Sequence, residues 1–363
     1  MKVDWLSLLD YRSYPTLEWQ PDPGVNLLIG GNGAGKTNLL EAVSYLSTLR
    51  SFRGAPDLDL VAEGADAAVI RAGVVSGDRS RTVEMEIPVA GSRRVQIDKT
   101  RLARTTDLLG AIRVVSFLPE DLDLVKRGPA ERRDLLDDLA VQLWPASHLD
   151  QREYERALRH RNAFLRTGDP DPVTLGVWDS RLAQAGGKVL ARRARAIDLL
   201  GPLLAESYRS VAGGGDAGVT YRPSWTDGPF ETLSAGDYAE KLAEALERAH
   251  REDYERRVTT VGPHRDEPGF SLDGADARTR ASQGEQRTIA LAVKLASHHA
   301  VADIISEMPV LLLDDVFSEL DPDRAVELAR SLPEDTQTLI TSARPEDVPV
   351  RGRVWKVGEG RVE

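Results

Sequence analysis

Gly30-Gly31-Asn32-Gly33-Ala34-Gly35-Lys36-Thr37 is the stretch on which the reading of this chain turns. It fits G-x-x-x-x-G-K-[ST], a phosphate-cradling loop, when a strand leads in and a helix leads out. Both conditions are met. Val25-Asn26-Leu27-Leu28-Ile29 is a short apolar run ending in glycine, as a buried parallel strand does. From Lys36 onward, Leu39, Leu40, Val43 and Leu46 fall on one helical face. The glycines let the backbone curl so that successive N–H groups point at phosphate oxygens. The helix N-terminus adds its partial positive charge. Gly30, Gly31, Asn32, Gly33, Ala34, Gly35, Lys36, Thr37 and Asn38 are therefore the candidate nucleotide-binding residues. Lys36 is placed to reach the β and γ phosphates of ATP, and the Thr37 hydroxyl to bind Mg²⁺. A glycine-rich turn that merely caps a helix is the plainer alternative, and it leaves the Lys36-Thr37 pair unexplained.

Working outward, Val310-Leu311-Leu312-Leu313-Asp314-Asp315 reads as a buried strand ending in two carboxylates. Such an acidic strand end is common in α/β folds and gains meaning only beside a P-loop. There Asp314 is the expected Mg²⁺ partner, and Asp315 the candidate catalytic residue, orienting or deprotonating the attacking water. Ser282-Gln283-Gly284-Glu285-Gln286 contains S-x-x-E, a capping box for a helix beginning near Gln286. The same residues resemble the ABC signature, in which a Ser and a Gly at a helix N-terminus grip a γ-phosphate. Ser282, Gln283, Gly284 and Glu285 are then expected to act in trans, on a nucleotide held by a second copy. Ser318-Glu319-Leu320-Asp321 resembles the D-loop of that class.

Composition narrows the setting. The chain of 363 residues is 41% apolar and 29% charged, ordinary for a folded domain or two. It has no cysteine, which removes disulfides, thiolate zinc sites and cysteine nucleophiles. No uninterrupted apolar run approaches the roughly 18 residues of a spanning helix, and Met1-Lys2-Val3-Asp4-Trp5 does not begin a signal peptide. A cytoplasmic location with no membrane is expected. The net charge of −11 argues against a uniformly basic nucleic-acid binder. Positive charge is nevertheless concentrated. Residues 151–200 hold ten Lys/Arg against six Asp/Glu, and residues 92–104 hold five against one. Arg93, Arg94, Arg192 and Arg193 are the candidate DNA contacts from these stretches.

The pattern of the chain changes near Pro119. Residues 1–120 read as α/β, with strand-like runs over 1–30 and 67–98. Residues 121–254 read as a mostly helical insertion, and the α/β pattern returns over 255–363. Within the insertion, helices are expected near 147–167 and 178–208. Gly168-Asp169-Pro170-Asp171-Pro172 breaks the chain between them. The pair reads either as a hairpin projecting from the α/β head or as a helical subdomain packed on it. Gly186, Gly187 and Pro202 are expected to weaken the second helix.

The resemblance then sharpens. Tyr11-Arg12-Ser13-Tyr14, Thr37-Asn38-Leu39-Leu40-Glu41-Ala42, Arg50-Ser51-Phe52-Arg53, Phe117-Leu118-Pro119-Glu120-Asp121-Leu122, Arg132-Arg133-Asp134-Leu135-Leu136-Asp137 and Gly262-Pro263-His264-Arg265-Asp266 follow in order. With the P-loop, the signature and Asp314-Asp315, the chain resembles the RecF family of bacterial recombination mediators. The resemblance implies an ABC-type ATPase head like that of SMC proteins, split by a helical arm. It implies ATP and Mg²⁺ as cofactors, an ATP-driven homodimer, slow hydrolysis, binding to duplex or gapped DNA, and RecO and RecR as partners in loading RecA. Two departures from the wider ABC pattern bear on turnover. Thr341-Ser342 stands where a switch histidine is expected, and Asp315 stands where a glutamate is usual. No glutamine lies between Gln96 and Gln142, so the Q-loop has no placement. These losses favour ATP as a timing switch. His264 reads as a structural histidine, and His298-His299 as surface or packing residues. Two other classes carry part of the same pattern. A transporter ATPase subunit would place its signature about a hundred residues after the P-loop, whereas Ser282 lies 246 positions beyond Lys36. A small-molecule kinase would leave the signature unexplained.

Overall fold

The structure is a computed structural model and describes residues 1–167 and 171–363. Of the break expected over Gly168–Pro172, residues 168–170 lie outside the described residues, and a helix begins at Pro172. Contacts divide the chain into two compact units, one made of residues 1–122, 210–213 and 290–363, the other of 123–209 and 214–289.

The first unit is built on two six-stranded sheets. One is antiparallel: β1 (Lys2–Tyr11), β2 (Tyr14–Trp19), β4 (Ala67–Ser76), β5 (Arg79–Pro88), β6 (Arg94–Ile97) and β7 (Thr100–Arg101), in the order β2-β1-β4-β5-β6-β7. The other is mainly parallel: β3 (Val25–Ile29), β8 (Val114–Phe117), β12 (Val310–Asp314), β13 (Thr338–Ser342), β14 (Arg353–Gly358) and the antiparallel β15 (Arg361–Val362), in the order β15-β14-β3-β13-β12-β8. β12 and β13 are buried along their whole length, and β12 accordingly reads as an apolar run over Val310–Leu313 rather than an alternating one. Helices α1 (Lys36–Thr48) and α8 (Pro322–Ser331) belong to this unit, with the greater part of α7 (Gln283–Ile305). The buried Gln337 side chain ties the two sheets. It accepts from Val3 N at 2.7 Å and donates to Val3 O at 2.9 Å and Asp22 O at 3.0 Å.

Among the described residues α7 alone is long and apolar enough to cross a membrane. Two thirds of that window, 67%, is buried inside the protein, as in a core helix.

The second unit holds α2 (Pro129–Leu143), α3 (Ser147–Leu165), α4 (Pro172–Ala212, except its last residues), α5 (Ala235–Arg256) and α6 (Ala277–Arg280), with the start of α7. A three-stranded sheet runs β11 (Ala275–Asp276), β10 (Glu267–Leu272), β9 (Ala217–Arg222). Two sequence expectations need correction. The helical pair is joined by a third helix, and all three share one core. Tyr154 and Ala157 of α3, Leu182, Val189 and Leu190 of α4, and Tyr238, Leu242 and Leu246 of α5 pack together with Trp225. Gly186 and Gly187 are what allow α5 to approach. A Cβ on Gly187 would lie 2.3 Å from Ala235 O, and one on Gly186 2.5 Å from Leu242 Cδ2. The second correction concerns the boundary at 254/255. β10 pairs with β9 along six residues, so residues up to Ile289 cluster with the insertion, the signature segment included.

Candidate functional site

The parallel sheet sets the site at the carboxyl ends of its strands, where α/β proteins hold ligands. β3 runs into the loop Gly30–Gly35, and β13 lies between β3 and the acidic strand β12. Gly33 and Gly35 have φ of 79° and 102°, conformations that a side chain strains. Gly35 is doubly constrained, because a Cβ there would meet Ser13 Oγ at 2.8 Å and the Tyr14 hydroxyl oxygen at 2.9 Å. The Tyr14 hydroxyl donates to Gly35 O at 3.0 Å and braces the loop from β2. The Lys36 ammonium curls back over the loop, donating to Gly30 O at 2.7 Å and Gly31 O at 3.0 Å.

A cavity of about 530 Å³ opens over this loop, lined by Gly33 to Asn38 together with Arg12, Ser13, Arg53, Asp59 and residues 61–63. Lys36 is thus accompanied by two further cations that motif matching alone did not assign. Arg12 is held by Glu41, a fully buried carboxylate of α1 whose two oxygens accept from the Arg12 Nε and Nη2 at 2.9 Å each. That hydrogen-bonded partner holds the Arg12 pKa above its ordinary value against the opposing effect of burial. Glu41 also accepts from the Ser51 hydroxyl, fixing the start of the loop that carries Arg53. Arg53 donates to Asn38 Oδ1 at 3.2 Å, and Asn38 to Ser13 Oγ at 2.9 Å. The signal was present in Tyr11-Arg12-Ser13-Tyr14 and Arg50–Arg53, but pairing them with Glu41 needs the fold.

The two acids differ in surroundings. Asp314 is buried, and its Oδ1 accepts from Thr37 Oγ1 at 2.9 Å and from Thr341 Oγ1 at 2.7 Å. Burial raises its pKa, while those two donors oppose the rise. A cation beside it would relieve the same desolvation. Asp315 turns the chain with φ 50° and ψ 25°, a left-handed conformation. Its Oδ1 is buried with no hydrogen-bond partner. Among the described residues no cluster of three or more His, Cys, Asp or Glu side chains could hold a metal by itself.

In the second unit the signature forms the expected capping box. Ser282 Oγ accepts from Glu285 N at 3.3 Å, while Glu285 Oε2 accepts from Ser282 N and Oγ, both at 2.7 Å. Ser282, Gln283 and Glu285 are exposed at the N-terminus of α7. The Gln286 amide holds the preceding turn, donating to the carbonyls of Ala277, Arg278 and Ala281 at 3.1–3.2 Å.

The arginines proposed to meet DNA fare differently. Arg193 is buried at 3% exposure, with Asp137, Pro263 O and the Tyr221 hydroxyl all around its guanidinium. That removes it from the DNA candidates, because its donors are already spent inside the unit. Arg93 is half-buried and locked by Asp57 and Leu49 O over the Tyr45 ring, so it is a structural clamp. Arg192 pairs with Asp150 at 3.3 Å, and the exposed Arg94 with Glu86 at 2.8 Å. Exposed members of the two basic stretches remain, notably Lys99, Arg101, Arg104, Arg152 and Arg156.

His264 is structural. Its Nε2 donates to Thr259 O at 3.2 Å, so Nδ1 accepts from the Tyr154 hydroxyl at 2.6 Å. His298 is fully buried and donates to Pro309 O at 3.0 Å, which makes it a packing residue.

The RecF/RecN/SMC N terminal domain family matches residues 2–359. The DNA replication and repair protein RecF of Streptomyces avermitilis is 42% identical, with both chains covered completely. That of Kineococcus radiotolerans is 42% identical over 96% of this chain and 94% of its own. The solved structure of the recombination mediator protein RecF-ATPrS in the RecFOR pathway superposes with a TM-score of 0.92 at 30% identity, covering 100% of this chain and 97% of that one. An Smc head bound to the C-winged helix domain of ScpA, at 15% identity and TM-score 0.57, covers 100% of this chain and 97% of its own and shares the fold. With an ABC-type head of the SMC kind and relatives matched from end to end, this chain belongs to the RecF family.

Proposed function

We propose that this protein is an ATP-switched DNA-binding protein of recombinational repair, active as a dimer that forms around ATP. In this reading Gly30 to Asn38 cradle the triphosphate, and Lys36, Arg12 and Arg53 balance its charge. Thr37 and Asp314 hold Mg²⁺, whose role is to neutralise charge developing on the phosphates. Asp315 orients the attacking water. Ser282 and Gly284 grip the γ-phosphate bound by a second copy. The dimer binds duplex or gapped DNA and, as the family resemblance implies, acts with RecO and RecR to help load RecA.

The observation that carries the reading is the Ser282–Glu285 cap: a preformed, exposed helix N-terminus bearing the signature residues. Hydrolysis is expected to be slow, because Asp315 is one methylene shorter than the glutamate usual in ABC ATPases. The test is Asp315→Asn. It should bind ATP with native affinity, dimerise, and stay dimeric because the nucleotide is not consumed. Rapid turnover by Asp315→Asn would place the base elsewhere.

A further inference from the structure

The residue at the end of β13 does something that no motif assigns to it. Thr341 is fully buried between β3 and β12, in register with Asp314 on one side and Leu28 on the other. Residues in register on neighbouring parallel strands present side chains to the same face, so Thr341 and Asp314 meet. The Thr341 hydroxyl donates its one proton to Asp314 Oδ1 at 2.7 Å. Its lone pair accepts from the backbone N–H of Asp315 at 2.8 Å. One hydroxyl therefore joins the side chain of the first acid to the main chain of the second.

That second contact falls where the backbone most needs it. Asp315 is a non-glycine residue in the left-handed region, a conformation that persists only when its surroundings over-determine it. Both of its peptide groups are held. The N–H is taken by Thr341, and the carbonyl accepts from Ser318 Oγ at 2.7 Å. Threonine suits the task because its branched Cβ leaves few rotamers, which fixes the hydroxyl in a buried strand. A side chain so enclosed, with its proton committed, is not available to touch a nucleotide.

We propose that Thr341 is a positioning residue for ATP hydrolysis. It clips Asp314 to Asp315 and holds Asp315 in the turn from which its carboxylate faces the attacking water, with Ser318 as the second half of the clip. The proposal rests on the reading of Asp315 as the water-orienting acid. It makes the difference from a switch histidine specific: the position serves the acids of the same chain.

The test compares Thr341→Val, which keeps the shape and removes both hydrogen bonds, with Thr341→Ser, which keeps the hydroxyl. Ser318→Ala opens the exposed half of the clip without touching the sheet and stands in should Thr341→Val fail to fold. Asp315→Asn is measured alongside. Steady-state kcat and KM and calorimetric ATP affinity are read for each. Thr341→Val and Ser318→Ala should lower kcat at least tenfold with ATP Kd within threefold of the parent, and Thr341→Ser should stay within threefold on both. Native kcat in Thr341→Val or Ser318→Ala, beside an inactive Asp315→Asn, would overturn the clip and leave the Asp315 reading intact. Parallel loss of ATP affinity and kcat in Thr341→Val, not rescued in Thr341→Ser, would also overturn it. An active Asp315→Asn would instead remove the reading on which the clip rests.

Discussion

Burial decides the behaviour of single residues here more than their identity does. His264 and His298 both have their pKa pushed down to about 4, first of all because a charged imidazole at those places would lose its hydration. In the unfolded chain each would titrate near 6.5. Between those values the unfolded chain binds more protons than the folded one, so stability falls as pH falls from about 6.5 towards 4. For the fully buried His298 the loss amounts to as much as about 3 kcal/mol. Imidazole proton resonances followed by NMR should show both rings still neutral at pH 5.5. A titration midpoint near 6.5 for either would show that the ring is solvated. The role of His264 was legible in the sequence, and so was the P-loop, because a local motif carries its own chemistry. Arg93 and Arg193 were misread for the complementary reason. Charge counted along a chain does not reveal that Asp57 and Asp137, distant in sequence, claim those guanidiniums in the fold.

At the scale of elements, the strands around the site were legible wherever they were mostly buried and mostly apolar, as in Val310–Leu313 and Val25–Ile29. β9 was missed because Gly213-Gly214-Gly215 and Gly218 crowd a short strand that earns its place only by pairing with β10. The third helix of the arm was missed for a related reason. Its partners on α4 include Gly186 and Gly187, which read as helix-weakening residues but are points of close approach. This gives opposite expectations for two glycines of the same helix. Gly187→Leu forces a side chain into the backbone of α5 and should destabilise the protein by about 2–4 kcal/mol. Gly176→Ala, where a Cβ would meet nothing within 4 Å, should stabilise it by roughly 0.5–1 kcal/mol. Urea unfolding of both variants reads the difference. Equal midpoints would mean that α4 and α5 do not pack through Gly187.

For the molecule as a whole, charge and the signature pull on the same question. A protomer with a net charge of −11 repels both DNA and its own copy, so association needs a specific adhesive. In the proposed function that adhesive is ATP, bound at one chain's P-loop and gripped by the other's Ser282. The sequence made the parts of this arrangement legible, because each lies in a contiguous motif. It could not make the arm legible as a packed body reaching to Ile289, since that depends on pairings between distant segments. The most direct measurement is sedimentation velocity of the parent and Ser282→Arg, with and without ATP and gapped DNA, beside calorimetry of ATP binding. The parent should pass from monomer to dimer on adding ATP and join DNA in that form. Ser282→Arg should bind ATP with unchanged affinity and remain a monomer. An ATP-dependent dimer of Ser282→Arg, or a parent that stays monomeric with saturating ATP and DNA, would contradict the account.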